Sequence, residues 1–121
     1  MIDDIDASEF TGLIIPGGFM PDKLRRNSKV LELTRAFDAE EKMIGMICHA
    51  GWIPISAGVM KGRTVTSTPG IRDDLVNAGA TWLDEAVVCD GHWISARRPP
   101  DLPAFGAALV QYLQAHPPKS L

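Results

Sequence analysis

Met43-Ile44-Gly45-Met46-Ile47-Cys48-His49-Ala50-Gly51 is the stretch whose reading decides the fold. The apolar run Met43–Ile47 has the length and composition of a buried strand. It stops at a cysteine and a histidine, and the small residues that follow open a helix. A thiol at such a junction meets exposed N–H groups and the positive end of a helix, both of which favour a thiolate. The junction therefore points to Cys48 as a nucleophile. The competing reading is that a free cysteine simply fills a core, since the type is among the most buried. Position at a strand–Cys–His–small–Gly–helix junction favours the nucleophile.

Upstream, Thr11–Ile15 is a second short apolar run, ended by Pro16-Gly17-Gly18. Continuously apolar strands bounded by turn residues belong to a sheet covered on both faces. Gly17-Gly18 leaves backbone N–H groups free to approach a ligand, as an oxyanion hole requires. The alternative is a tight turn and nothing more, and the spacing is not that of a phosphate-binding loop. Phe19–Arg26 reads as a loop or single helical turn holding Asp22. Asn27 or Ser28 caps a helix running to about Glu41, with Val30, Leu33, Ala36 and Phe37 on one face. Residues 1–10 form a polar lead-in.

Downstream, the helix that opens at the elbow runs to about Ala57, with Gly58 as its stop and Pro54 in or just past its first turn. A short β segment is expected over Arg63–Ser67 and a short helix over Arg72–Ala78. Val87–Cys89 and Trp93–Ala96, joined by Asp90-Gly91, form a hairpin. After the loop Arg97–Pro100, Asp101 caps a last helix with Leu102, Phe105, Leu109 and Tyr112 at helical spacing. The tail from His116, with Pro117-Pro118, is expected to fray. Strands and helices alternate before residue 60, so the expected architecture is an α/β layer fold with parallel strands.

Bulk properties narrow the function classes. The 121 residues are 45% hydrophobic and 22% charged, with a formal net charge of -3, a composition expected to form one domain over residues 1–121. No Lys/Arg cluster exceeds the pairs Arg25-Arg26 and Arg97-Arg98, so no nucleic-acid footprint is present. No apolar run approaches the ~20 residues needed to cross a membrane. Asp3, Asp4 and Asp6 make the start acidic, opposite to a signal peptide. Two cysteines, one in a candidate nucleophile setting, fit a reducing cytoplasm rather than a disulfide scaffold.

The other chemistry-bearing residues divide as follows. Neighbouring side chains generally point apart, so a Cys48–His49 pair does not follow from adjacency. At a sharp elbow, though, the His49 ring can swing back to the sulfur, where it would need a carboxylate to fix its tautomer. A polar group satisfied at a strand end remains the alternative. Cys89 lies inside a β run with no adjacent base and reads as structural. His92 and His116 are expected to be solvated, and Asp73-Asp74 to cap or solvate a short helix. No Cys/His spacing matches a zinc site.

Taken together, these segments resemble the PfpI family, intracellular cysteine hydrolases related to the DJ-one stress proteins and to class I glutamine amidotransferases. The resemblance rests on Leu-Ile-Ile-Pro-Gly-Gly-Phe (13–19), Pro-Asp-Lys-Leu-Arg (21–25), Ile-Cys-His-Ala-Gly (47–51) and Ile-Ser-Ala-Gly-Val (55–59). It continues through Thr-Ser-Thr-Pro-Gly-Ile-Arg-Asp-Asp (66–74), Asn-Ala-Gly-Ala-Thr-Trp (77–82), Ser-Ala-Arg-Arg-Pro (95–99) and Asp-Leu-Pro-Ala-Phe (101–105).

The resemblance implies a flavodoxin-like three-layer α/β sandwich with a mostly parallel sheet, truncated at the N-terminus, plus a small β-hairpin. It implies Cys48 as nucleophile, His49 as its base, and Asp22 as an acid delivered to His49 across a subunit interface of a homo-oligomer. Backbone N–H groups of Gly18 and Ala50, beside Gly17, would form the oxyanion hole, and Trp52 would line the pocket. Relatives are described as peptidases and as enzymes acting on methylglyoxal or on glycated proteins, so the implied substrate is a small carbonyl compound or a peptide. No metal and no organic cofactor is implied. The chain departs from the family at the front: the strand–helix–strand block that opens family members is not in the sequence, and with it goes a glutamate that bonds the nucleophilic thiol. Met1 is accordingly expected to be an internal start, a truncated gene or a fragment. The alternative function is a non-catalytic, stress-associated oligomer that keeps the fold without a competent site.

Overall fold

Burial on both faces explains why Met43–Ile47 is apolar throughout. In the computed structural model, which describes residues 1–117, this strand is β2 and all five of its residues are buried. Side chains alternate along a strand, and here they feed two cores. Ile44 and Met46 join Leu33, Phe37, Ile53, Leu75 and Trp93 on one side of the sheet. Met43 and Ile47 meet Ile94, Ala96, Phe105 and Leu109 on the other. Each such side chain contributes about 2 kcal/mol by leaving water.

Gly12–Ile15 forms β1, Val87–Asp90 forms β5 and Trp93–Ala96 forms β6; with β2 they make a four-stranded sheet in the order β1-β2-β6-β5. β1, β2 and β6 run parallel, and β5 pairs antiparallel with β6. The register is tight where it matters: Ile15 lies opposite Met46, and Ile47 opposite Ala96. Among the described residues β1 pairs only with β2, and its Ile14 is 54% exposed. Expected hairpin residues thus form β5 and β6, and β6 lies inside the main sheet. The turn itself is Gly91-His92 rather than Asp90-Gly91, because Asp90 already pairs with Trp93.

The helices make the outer layers. Met20–Leu24 forms α1, and Ser28–Ala39 forms α2, opened by the Asn27 side chain accepting from the N–H groups of Lys29 and Val30. Trp52–Ala57 forms α3, closed by Gly58 in the left-handed region at φ 77°. Arg72–Asn77 forms α4. Leu102–Ala115 forms α5, which lays Phe105 and Leu109 over Gly45, where a Cβ would stand 2.7 Å from Leu109 Cδ2. Of the fraying tail expected from His116, residues 118–121 lie outside the described residues.

Some expectations change. The β segment shrinks to β3, Thr64–Val65, which pairs in parallel with β4, Thr81–Trp82, a strand too short to read from alternation. Asp101 sits at the N-cap of α5 without capping it, because its carboxylate is held by Arg97. Cys89, read as structural, lies on β5 as expected but is exposed. His92 is not solvated: only 6% exposed, it donates from Nε2 to Asp38 Oδ1 at 2.7 Å. The same oxygen accepts from Trp93 Nε1 at 3.0 Å and from Arg63 Nη2 at 3.2 Å. Three donors on one carboxylate oxygen tie the end of α2 to the start of β6.

Candidate active site

The site lies past the carboxyl ends of β1 and β2, where open parallel sheets take their ligands. Both chains turn sharply there. Cys48 leaves β2 at φ 66°, a left-handed conformation that costs a non-glycine residue about 1–3 kcal/mol. A short turn, Cys48–Gly51, follows before α3 begins. The Cys48 carbonyl accepts from the Thr68 N–H at 3.2 Å, which fixes the turn from the far side.

The strained turn brings neighbours together. Cys48 Sγ is 3.8 Å from His49 Nδ1, within reach for a sulfur hydrogen bond, so the ring does swing back toward the thiol. Among the described residues this is the only side-chain hydrogen bond of Cys48. The His49 ring packs on Trp52 with centroids 5.0 Å apart and planes tilted by 46°. Trp52 is itself held: its Nε1 donates to Asp74 Oδ2 at 2.9 Å, and the Arg25 guanidinium stands 5.6 Å over its ring. Asp74, expected to cap or solvate a short helix, thus anchors the indole behind His49.

Continuing the β1–β2 register two residues beyond Ile15 and Met46 puts Gly17 beside Cys48. A Cβ on Gly17 would stand 2.6 Å from Cys48 Cβ and 3.1 Å from the Ile47 carbonyl oxygen, so only glycine fits there. A cleft of about 280 Å³ opens over the thiol, lined by Pro16, Gly17, Gly18, Ile47, Cys48, Pro99 and Leu102. Gly17, Gly18 and Cys48 therefore share one cleft. Trp52 lies on the His49 side and is not among the lining residues, and Ala50 is fully buried. Asp22, on α1, pairs within its own chain with Arg26 Nη2 at 2.7 Å and makes no hydrogen bond to His49 of the same chain.

Pro99 and Leu102 were not singled out by the sequence reading, which took them for a loop and a helix start. Only the pairing of β6 with β2 carries that turn over Cys48. It is clamped there by Arg97, whose Nε and Nη2 reach the Asp101 carboxylate at 3.2 and 3.5 Å, and whose Nη1 reaches Asp84 Oδ1 at 2.9 Å. Hydrogen bonding to Arg97 holds the Asp101 carboxyl below the usual carboxylate range. Among the described residues no cluster of His, Cys, Asp or Glu is arranged to hold a metal ion, and no helix is long and apolar enough to cross a membrane.

Known proteins share this architecture. The DJ-1/PfpI family profile matches residues 1–112. Deglycase PfpI of Pyrococcus furiosus is 46% identical over 112 residues, spanning 93% of this chain and 68% of that protein. Putative cysteine protease YraA of Bacillus subtilis is 40% identical over 113 residues, spanning 93% and 67%. Among solved structures, a two-domain Anabaena variabilis protein with DJ-1/ThiJ/PfpI-like and ferritin-like domains superposes with a TM-score of 0.92 at 36% identity, covering 93% of this chain and 32% of that one. The chain thus spans about two thirds of the length of these curated relatives. By profile, identity and fold, the chain belongs to the DJ-1/PfpI family.

Proposed function

We propose that the chain acts as a cysteine-nucleophile hydrolase of the PfpI type, on carbonyl adducts of amines or on peptides. The observation that carries this reading is the Cys48 turn: a thiol held at φ 66° at the end of a parallel strand, 3.8 Å from an imidazole nitrogen and open to a cleft. Relatives named deglycase and putative cysteine protease support the same chemistry.

On an amide, the Cys48 thiolate adds to the carbonyl carbon while His49 keeps the thiol proton. The new oxyanion is held by the N–H of Gly18, which lines the cleft beside the thiol. Collapse breaks the C–N bond, and the proton passes from His49 to the leaving amine. Water, deprotonated by His49, then hydrolyses the thioester and returns the thiol. Asp22 from a second copy orients His49 in a homo-oligomer, consistent with His49 making no carboxylate hydrogen bond in its own chain among the described residues. The non-catalytic alternative draws on one observation: among the described residues no carboxylate bonds the Cys48 thiol.

The test is incubation of the chain and its Cys48→Ala variant with a peptidyl anilide, which carries the amide step, and with methylglyoxal-modified Nα-acetyl-lysine, which carries the adduct. Release of free amine by the parent chain alone supports the hydrolase. Equal release from both, or none from either, removes it.

A further inference from the structure

The two walls of the cleft differ in origin. One is the sheet end itself: Pro16, Gly17, Gly18 and Ile47. The other, Pro99 and Leu102, comes from the turn between β6 and α5. Arg97, which fixes that turn through Asp101 and Asp84, directly follows Ala96, and Ala96 lies level with Ile47 in the next strand. The clamp is therefore built on the same sheet end as the thiol. Leu102 is 51% exposed, so core packing does not account for a leucine there. Apart from Cys48, no lining side chain is ionisable, and an ionised group seated in such a cleft without a partner is costly.

We propose that the Pro99–Leu102 turn, positioned by Arg97, is the specificity wall of the site: it admits a small, uncharged, apolar substituent on the carbonyl facing Cys48 and turns away bulky or ionised ones. As a statement about substrates this rests on the hydrolase reading above. As a statement about access to the thiol it stands alone, and the test uses that difference.

In a Cys89→Ser chain, Cys48 is modified with iodoacetamide, with iodoacetate and with N-phenylmaleimide, each rate normalised to that with free cysteine. The parent chain reacts in the order iodoacetamide, then iodoacetate and N-phenylmaleimide well behind. Leu102→Ala raises the N-phenylmaleimide-to-iodoacetamide ratio about tenfold, the low end of what one methylene is worth in an apolar pocket. Leu102→Trp lowers it. Arg97→Met shifts the ratio as Leu102→Ala does, and Arg97→Lys returns part of the shift. A general loosening of the fold would raise both rates together and leave the ratio alone, and thermal melting identifies any variant that does not fold. Leu102 is half exposed, so its variants keep the core. A ratio unchanged in Leu102→Ala and Leu102→Trp overturns the proposal. Modification needs no turnover, so a chain that fails to release amine loses the hydrolase reading while the ratio still judges the wall.

Discussion

Gly17 lies so close to Cys48 that a Cβ on residue 17 would stand 2.6 Å from the Cys48 Cβ. The parallel register of β1 with β2 sets this distance, because Ile15 opposite Met46 leaves the next turn of each chain side by side. Substituting Gly17→Ala must push the Cys48 turn away from β1. We expect a loss of about 1–3 kcal/mol in stability, the usual scale for overpacking, together with slower alkylation of Cys48. Denaturant unfolding and iodoacetamide kinetics on the same samples check both effects.

The proposed acid comes from another copy. Asp22 is half exposed, and its one partner in its own chain among the described residues is the exposed Arg26, an ion pair that a neighbour's His49 can displace. Chains carrying Asp22→Asn are expected to lose amine release by about 10²-fold, the lower end of what general acid–base catalysis supplies. Mixing them with Cys48→Ala chains should restore part of it, since a mixed oligomer joins one chain's thiol to the other's carboxylate. Size-exclusion chromatography of the mixture reports whether copies associate. No recovery in an associated mixture would place Asp22 outside the site.

The part-buried Asp38 clasp is separable from the chemistry. It joins His92, Trp93 and Arg63 at the end of the sheet away from Cys48. Asp38→Ala leaves buried donors without an acceptor and is expected to cost about 1–3 kcal/mol of stability. Cys48 alkylation under native conditions should be unchanged. Urea unfolding and labelling rates measure the two sides of this prediction.

Where the sequence was legible, one stretch carried its own physical reason. Met43–Ile47 must be apolar throughout because both faces of β2 are covered, and the positive φ at Cys48 is what an abrupt strand-to-helix change demands. Long-range partners were not legible. His92 sits in a hairpin turn, which ordinarily means solvent, and only Asp38, 54 residues earlier, makes it buried. Asp101 has the type and position of a helix cap, yet the Arg97 guanidinium competes for its carboxylate. Pro99 and Leu102 reach the cleft through the β2–β6 pairing, for which local pattern holds no sign.

The central claim is that turnover resides in the Cys48 thiol, and partial alkylation tests it most directly. Partial desolvation on β5 raises the Cys89 thiol above its usual range, and a Cys89→Ser background leaves Cys48 as the one thiol to label; peptide mass spectrometry gives its modified fraction. The account predicts that amine release from methylglyoxal-modified amino acids falls in proportion to that fraction and vanishes at full labelling. Undiminished release from a chain fully modified at Cys48 would contradict it.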